Sequence, residues 1–350
     1  MQLDFPLKAR IERSVTLASP NQGRSRGTAC RALSRKKSHV HQCFSEGEIG
    51  PEQVMLSRSM SRSISIVGAG RVGRTFAKRL RKLGWKIGAV VTRSSATARA
   101  AVRAIGAGSP RAALTPHALD ADVILLSTPD GALSGVARKL AVLGNEFGKM
   151  TSRNKIVLHT SGALDHRVLA PLARLGAHTG SMHPMQTFSG RATPLLNGVI
   201  FSIEGAPAAI KMARKIARSL GATPVLIDGK HKPAYHAAGA VVAGHALALV
   251  ESATQTLMKI GFTRRCAAEA LLPLIRQMLD NYERHGPHVA WTGPLSRGDY
   301  ATISKHVKAL RKFPREYQRA YEALAVLSTR VLSKQPAATK RKLSRALGKP

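Results

Sequence analysis

Apolar and polar positions change period once along this chain, near residue 230. Before that point, short apolar runs alternate with segments that keep their apolar residues on one helical face. The runs are Ile64, Ile66 and Val67, then residues 86–92 (KIGAVVT), 122–128 (DVILLST), 155–160 (KIVLHT), 199–204 (VIFSIE) and 223–228 (TPVLID). Runs this continuous suit parallel strands covered on both faces. Between them, Val72, Phe76, Ala77 and Leu80 recur at helical spacing, as do Ile210, Ala213, Ile216, Ala217 and Leu220 within 208–220. Strand and helix in alternation predict an α/β fold, a doubly wound parallel sheet of the Rossmann type. Past Lys232 the strand signal ends, and helical patterns over 235–260, 264–285 and 300–332 predict a separate all-helical domain. The stretch 237–250, with His245 inside it, is too short for a bilayer and is expected to be a buried helix.

These patterns divide the chain into a basic extension (1–59), a dinucleotide-binding domain (60–229), a helical substrate and dimerisation domain (230–333) and a basic tail (334–350). The extension carries ten Lys or Arg and little apolar periodicity, so disorder is expected. Asp4, Glu12, Glu46, Glu48 and Glu52 argue against a transit peptide, and Met60 stands just before the first strand. An overlong start is the favoured explanation.

The sharpest local signal is residues 63–80, SISIVGAGRVGRTFAKRL. Gly68, Ala69, Gly70, Arg71, Val72 and Gly73 spell G-x-G-x-x-G between a strand and a helix. Such glycines make a tight turn, admit the pyrophosphate and let helix pack on strand. About 20 residues on, where an NAD site places an acid against the ribose, stand Thr92, Arg93, Ser94 and Ser95. With no acid there, Arg93 is expected to pair with a 2′-phosphate, so NADP is favoured over NAD. The plainer reading leaves Arg93 a solvated loop charge.

Composition adds one complication. The 350 residues include 55 Lys and Arg against 19 Asp and Glu, a formal charge of +36. Nucleic acid must then be weighed as a partner. Only 4% of residues are aromatic, which leaves little for base stacking, so non-specific binding is the form expected. Cys30, Cys43 and Cys266 lack metal or disulfide spacing, which predicts no metal and a reducing compartment.

Ligands of such sheets bind at the carboxyl ends of the strands. Thr128, Pro129 and Asp130 end one strand and should lie along the cofactor, although Pro and Asp also make ordinary turns. Ser161 and Gly162, in HTSGA, offer a hydroxyl and N–H groups to a substrate carboxylate, or a helix cap. His183 closes another strand. Lys232 and His236 share a helix face at the domain junction, where a partly desolvated lysine has a lowered pKa suited to proton donation. The plainer reading makes Lys232 a solvated lysine at a helix start.

The runs HPMQTFS (183–189), KPAYHAAG (232–239), LLPLI (271–275) and WTGPLSRGD (291–299) resemble, in that order, a bacterial family of predicted oxidoreductases. Its members join a Rossmann-like domain to a C-terminal helical domain of unknown function, and the likeness covers roughly residues 60–332. The family is similar to pyrroline-carboxylate, ketopantoate and β-hydroxyacid enzymes. The resemblance implies NADP on the glycine turn and a site that includes His183, Lys232, His236, Asn281, Arg297 and Asp299. It favours a functional Lys232. Related reductases carry asparagine four residues after the lysine, where this chain has His236, which leaves the proton donor open between the two. Asn281 is implied to bond a substrate oxygen, Arg297 to pair with a carboxylate, and Asp299 to orient Arg297 or cap a helix.

The resulting expectation is a cytoplasmic, homodimeric NADP-dependent oxidoreductase with no membrane partner. It would reduce a small 2-oxo or imino acid, ketopantoate foremost. A non-catalytic NADP-sensing or scaffold protein and a basic nucleic-acid-binding protein are the alternatives.

Overall fold

The computed structural model describes residues 62–148, 155–190 and 193–348. The expected disordered extension over 1–59 lies outside the described residues, as do the last two residues of the expected tail. The first half contains strands β1 (Ser63–Val67), β2 (Lys86–Val91), β3 (Ser109–Arg111), β4 (Val123–Leu126), β5 (Ile156–His159), β6 (His178–Pro184), β7 (Ile200–Gly205) and β8 (Thr223–Leu226). Helices α1 (Arg71–Lys82), α2 (Ser95–Ile105), α3 (Asp130–Glu146), a short α4 (Ala170–Ala173) and α5 (Pro207–Ser219) alternate with them.

The eight strands form one sheet in the order β3-β2-β1-β4-β5-β6-β7-β8. Apolar side chains fill both faces. Ile64, Ile66, Phe76, Leu125 and Ile216 belong to one buried cluster, and Val67, Ile124, Leu126, Leu133 and Leu140 to another. The Rossmann-like architecture is as expected, with one difference in direction. β6 and β7 are antiparallel, so β7 and β8 run against the other six. Among the described residues no helix lies between β6 and β7, and without a crossover helix the returning strand can only pair antiparallel.

The second half is helical: α6 (Lys232–Ala240), a π turn (Val241–His245), α7 (Ala246–Lys259), α8 (Arg264–His285), the short α9 (Pro287–Ala290) and α10 (Pro294–Arg297), then α11 (Tyr300–Leu310), α12 (Arg315–Val331) and α13 (Pro336–Ala346). Three expectations are corrected here. The 300–332 pattern is two helices, because Pro314 stands at the N-cap of α12 and interrupts the ladder of hydrogen bonds. The stretch 237–250 is not buried. Val242 and Leu247 are 75% and 68% exposed, and the side-chain bonds from α6 to β6 come from its first turn, through Lys232 and Tyr235. The continuous helix Gly229–Lys259, with mean hydropathy 1.3, is long and apolar enough to cross a membrane by length and composition.

The third correction concerns the basic tail. Most of it is α13, whose Leu343 is fully buried beside Leu295, Ile303, Val307 and Ala325. Two leucines one turn apart, Leu343 and Leu347, anchor a segment whose other positions are mainly basic or small. That is too sparse an apolar stripe to read against so many charges.

Candidate active site

The glycine turn has the shape its spacing requires. Gly68 has φ +92°, and a Cβ there would stand 2.7 Å from the Thr128 amide nitrogen. A Cβ on Gly73 would collide with Ser127 Oγ and the Gly68 carbonyl. Ser127 Oγ also donates to that carbonyl at 2.6 Å, which ties the turn to the end of β4. Gly70 differs. Nothing lies within 4 Å of where its Cβ would be, and no side chain caps α1 behind it. Open space before an uncapped helix start is what a diphosphate needs. Arg71 and Val72 begin that helix, and Ala69 is buried beneath it.

At the end of β2, Arg93 is exposed, and no acid lies between Thr92 and Ser95. Ser94 is spent locally, because its hydroxyl accepts the Thr97 N–H as the cap of α2.

A polar cluster lies beyond β5 and β6. Lys232 begins α6, yet it is fully buried, which overturns the reading of a solvated helix-start lysine. Its Nζ donates to the Ser161 carbonyl at 2.9 Å and to Ser181 Oγ at 2.5 Å. Burial lowers its pKa to about 8, against the opposing pull of Glu204, Asp165 and Asp130. One turn on, His236 is exposed and its ring stands edge-on to His183, 5.5 Å between centroids. Both histidines crowd Gly162, where a Cβ would meet His236 and His183. Lys232 and His236 therefore face the same loop, as expected of residues one helical turn apart.

That loop is rigid for local reasons. Ser161 Oγ accepts the Ala163 and Leu164 N–H groups and donates to Asp130 Oδ2 at 2.8 Å. The Ser161 N–H donates to His159 Nδ1 at 3.2 Å. Ser161 thus acts as a cap within its own turn, and of the backbone donors from 161 to 164 only that of Gly162 has no such bond. Burial, with Lys232 close by, holds His159 neutral with a pKa near 3. His183 is held to about 4 by burial, then by Lys232 and His236, and its Nδ1 meets the Tyr235 hydroxyl at 3.2 Å.

A Rossmann-like family model matches residues 48–184, and the model of DUF2520, a domain of unknown function, matches residues 199–327. The chain joins a Rossmann-like domain to a DUF2520 domain. No curated protein matches it. Solved structures do. A provisionally named NADP oxidoreductase from Bacteroides fragilis has 23% identity and TM-score 0.63, covering 76% of this chain and 96% of its own. A reductive aminase from Aspergillus terreus, in complex with NADPH and ethyl-5-oxohexanoate, has 16% identity and TM-score 0.56, covering 77% and 94%. A pyrroline-5-carboxylate reductase from Coxiella burnetii has 14% identity and TM-score 0.51, covering 78% and 100%.

Three expected residues of the DUF2520 domain lie outside the cluster. Asn281 is on α8, where its side-chain oxygen accepts from Gln277. Arg297 ends α10, exposed. Asp299 caps α11, accepting the Thr302 N–H at 3.0 Å. Among the described residues no hydrogen bond joins any of them to Lys232 or His236. In turn, sequence reasoning passed over Glu204, the buried acid that closes the apolar run of β7. An acid in such a run is itself a signal, because a buried carboxylate needs partners.

Proposed function

We propose that this chain is an NADP-dependent oxidoreductase that reduces the carbonyl or imine carbon of a small organic acid. The observation that carries the reading is the meeting of Lys232 and His236 with the Ser161–Gly162 loop, at the strand ends that follow the glycine turn. The open space at Gly70 and the uncapped start of α1 fit a dinucleotide diphosphate. Arg93, with no acid beside it, fits a 2′-phosphate. The fold shared with proteins named as an NADP oxidoreductase and a reductive aminase supports the same reading.

Bound NADPH would supply the hydride. This chain supplies the setting. Lys232 has no exposed surface, so the group at hand to give the surface proton is His236, with the Lys232 charge beneath it drawing electron density toward the reduced oxygen or nitrogen. His183, kept neutral by burial, holds the His236 ring in place and adds no repelling charge. The substrate class is a small 2-oxo or imino acid, and ketopantoate is one member of it.

The test is NADPH oxidation against a panel of 2-oxo acids, ketopantoate included, and cyclic imines. Activity with one of them is expected. Lys232→Ala should lower turnover by about 10²-fold or more and leave NADPH affinity within a few-fold. Equal losses in both would remove Lys232 from the chemistry. NADPH binding without turnover of any substrate would favour a sensing or scaffold protein, and no binding at all would sink both readings.

The enzyme is read as a cytoplasmic homodimer. Supporting the dimer are Val242, Leu247, Leu274 and Leu279 of α6 to α8, all more than half exposed. A second reading, non-specific attraction of polyanions, is favoured by Lys340, Arg341, Lys342 and Arg345, exposed on a helix without acids.

A further inference from the structure

Ser181 and Glu204 are partners across β6 and β7. Partners in an antiparallel ladder carry their side chains on one face, a few ångströms apart. Since Ser181 Oγ takes a hydrogen bond from Lys232 Nζ, the Glu204 carboxylate stands one side chain away from the ammonium. Both groups are buried, Glu204 at 5% exposure. Its oxygens are also tied down, Oε1 by the His166 N–H at 2.8 Å and Oε2 by His166 Nδ1 at 2.5 Å. A carboxylate held twice by one residue is a fixed charge, not a group free to reach a substrate.

Within the oxidoreductase reading, we propose that Glu204 is a positioning residue for Lys232. Its charge keeps that buried side chain an ammonium, and its grip on His166 fixes the turn after β5 that carries Ser161. The other titratable groups around Lys232 are placed differently, and the two acids among them, Asp130 and Asp165, pull the same way behind Glu204. Asp130, from α3, accepts the Ser161 hydroxyl, and Asp165, after β5, is paired with Arg167. His159 on β5 and His183 on β6 are held neutral by burial, while His236 on α6 faces the open side. His166 meets Glu204 itself. Glu204 heads the influences that favour the charged form of Lys232 against burial.

The decisive experiment follows the lysine side chains directly, by NMR titration of full-length protein labelled with ¹³C at lysine Cε. The Lys232 signal is the one missing from Lys232→Arg. In Glu204→Gln its midpoint should fall by about half a pH unit or more, because removing a nearby negative charge disfavours the ammonium. Glu204→Asp should restore most of the shift. The alkaline limb of kcat/KM should move to lower pH in step. An unchanged midpoint in folded Glu204→Gln overturns the proposal, with or without a known substrate, whereas absent turnover in the parent protein counts only against the oxidoreductase reading. Should Glu204→Gln not fold, the parent protein decides. Its Glu204 carboxyl carbon should show an inflection at the Lys232 midpoint that vanishes in Lys232→Arg, and no such inflection overturns the proposal equally.

Discussion

The sheet and the α6 to α8 arm are both rich in apolar residues, but they use them in opposite ways. All four residues of β4 are buried. The 22 residues of α8 include one buried residue, Ala267. Leu125 belongs to a packed core, while Leu274, on α8, is 67% exposed. Apolar pattern therefore reports a demand for burial, and only the sheet meets that demand within one chain. Monomeric proteins rarely leave so many apolar side chains uncovered, which is why the arm is read as the place where a second copy sits.

Substitutions can test this contrast, and the largest effect belongs to the sheet. Leu125→Ala removes a fully enclosed side chain and should cost about 2–5 kcal/mol in urea unfolding; a loss below 1 kcal/mol would mean that the core is looser than its packing implies. Next comes acidity. His159 is neutral when folded, with a pKa near 3 against 6.5 for the free side chain, so the unfolded chain takes up the proton first. Stability should therefore fall as pH drops from 6.5 toward 3, by up to about 1.4 kcal/mol per pH unit for this one group. Unfolding of His159→Gln across pH 7 to 4 should show a shallower slope.

A smaller effect is expected at the cofactor. Arg93→Ala should weaken NADPH by about tenfold and leave NADH nearly unchanged, which fluorescence titration of both nucleotides would reveal. Parallel losses would remove Arg93 from phosphate recognition. Leu274→Glu together with Leu279→Glu should shift urea unfolding of dilute monomer least, by about 0.5 kcal/mol or less. The same pair should abolish association in sedimentation. If association persists, the arm is not the interface.

Six of the eight strands were legible as apolar runs. The two that were not are instructive. β3, with the sequence SPR, is short and lies at the sheet edge. β6 reads HTGSMHP and is largely buried, but with small and polar side chains, because Ser181 and His183 face Lys232 and α6 rather than an apolar layer. β6 could thus be read only from its end, where His183 closes it, and not from an apolar run. Within the site, the glycine turn and the pair Lys232 and His236 could be read from local spacing. The bond from Lys232 to Ser161 spans 71 residues, and no local pattern encodes it. Glu204 was hidden for a related reason, since period alone cannot distinguish one acid in an apolar run from a solvent-facing strand end.

The π turn at Val241–His245 acts as a phase adjuster. A wider turn slips the helix by roughly one residue, about 100° of rotation, without ending it. Before the slip, Lys232 and His236 are aimed at the strand ends. After it, α7 presents its face at a new angle, free to suit whatever covers the arm. The residues aimed at the strand ends and the exposed apolar face are thereby set independently along one rod, so that a single residue inserted or deleted beyond the π turn would re-aim the face and leave Lys232 and His236 in place.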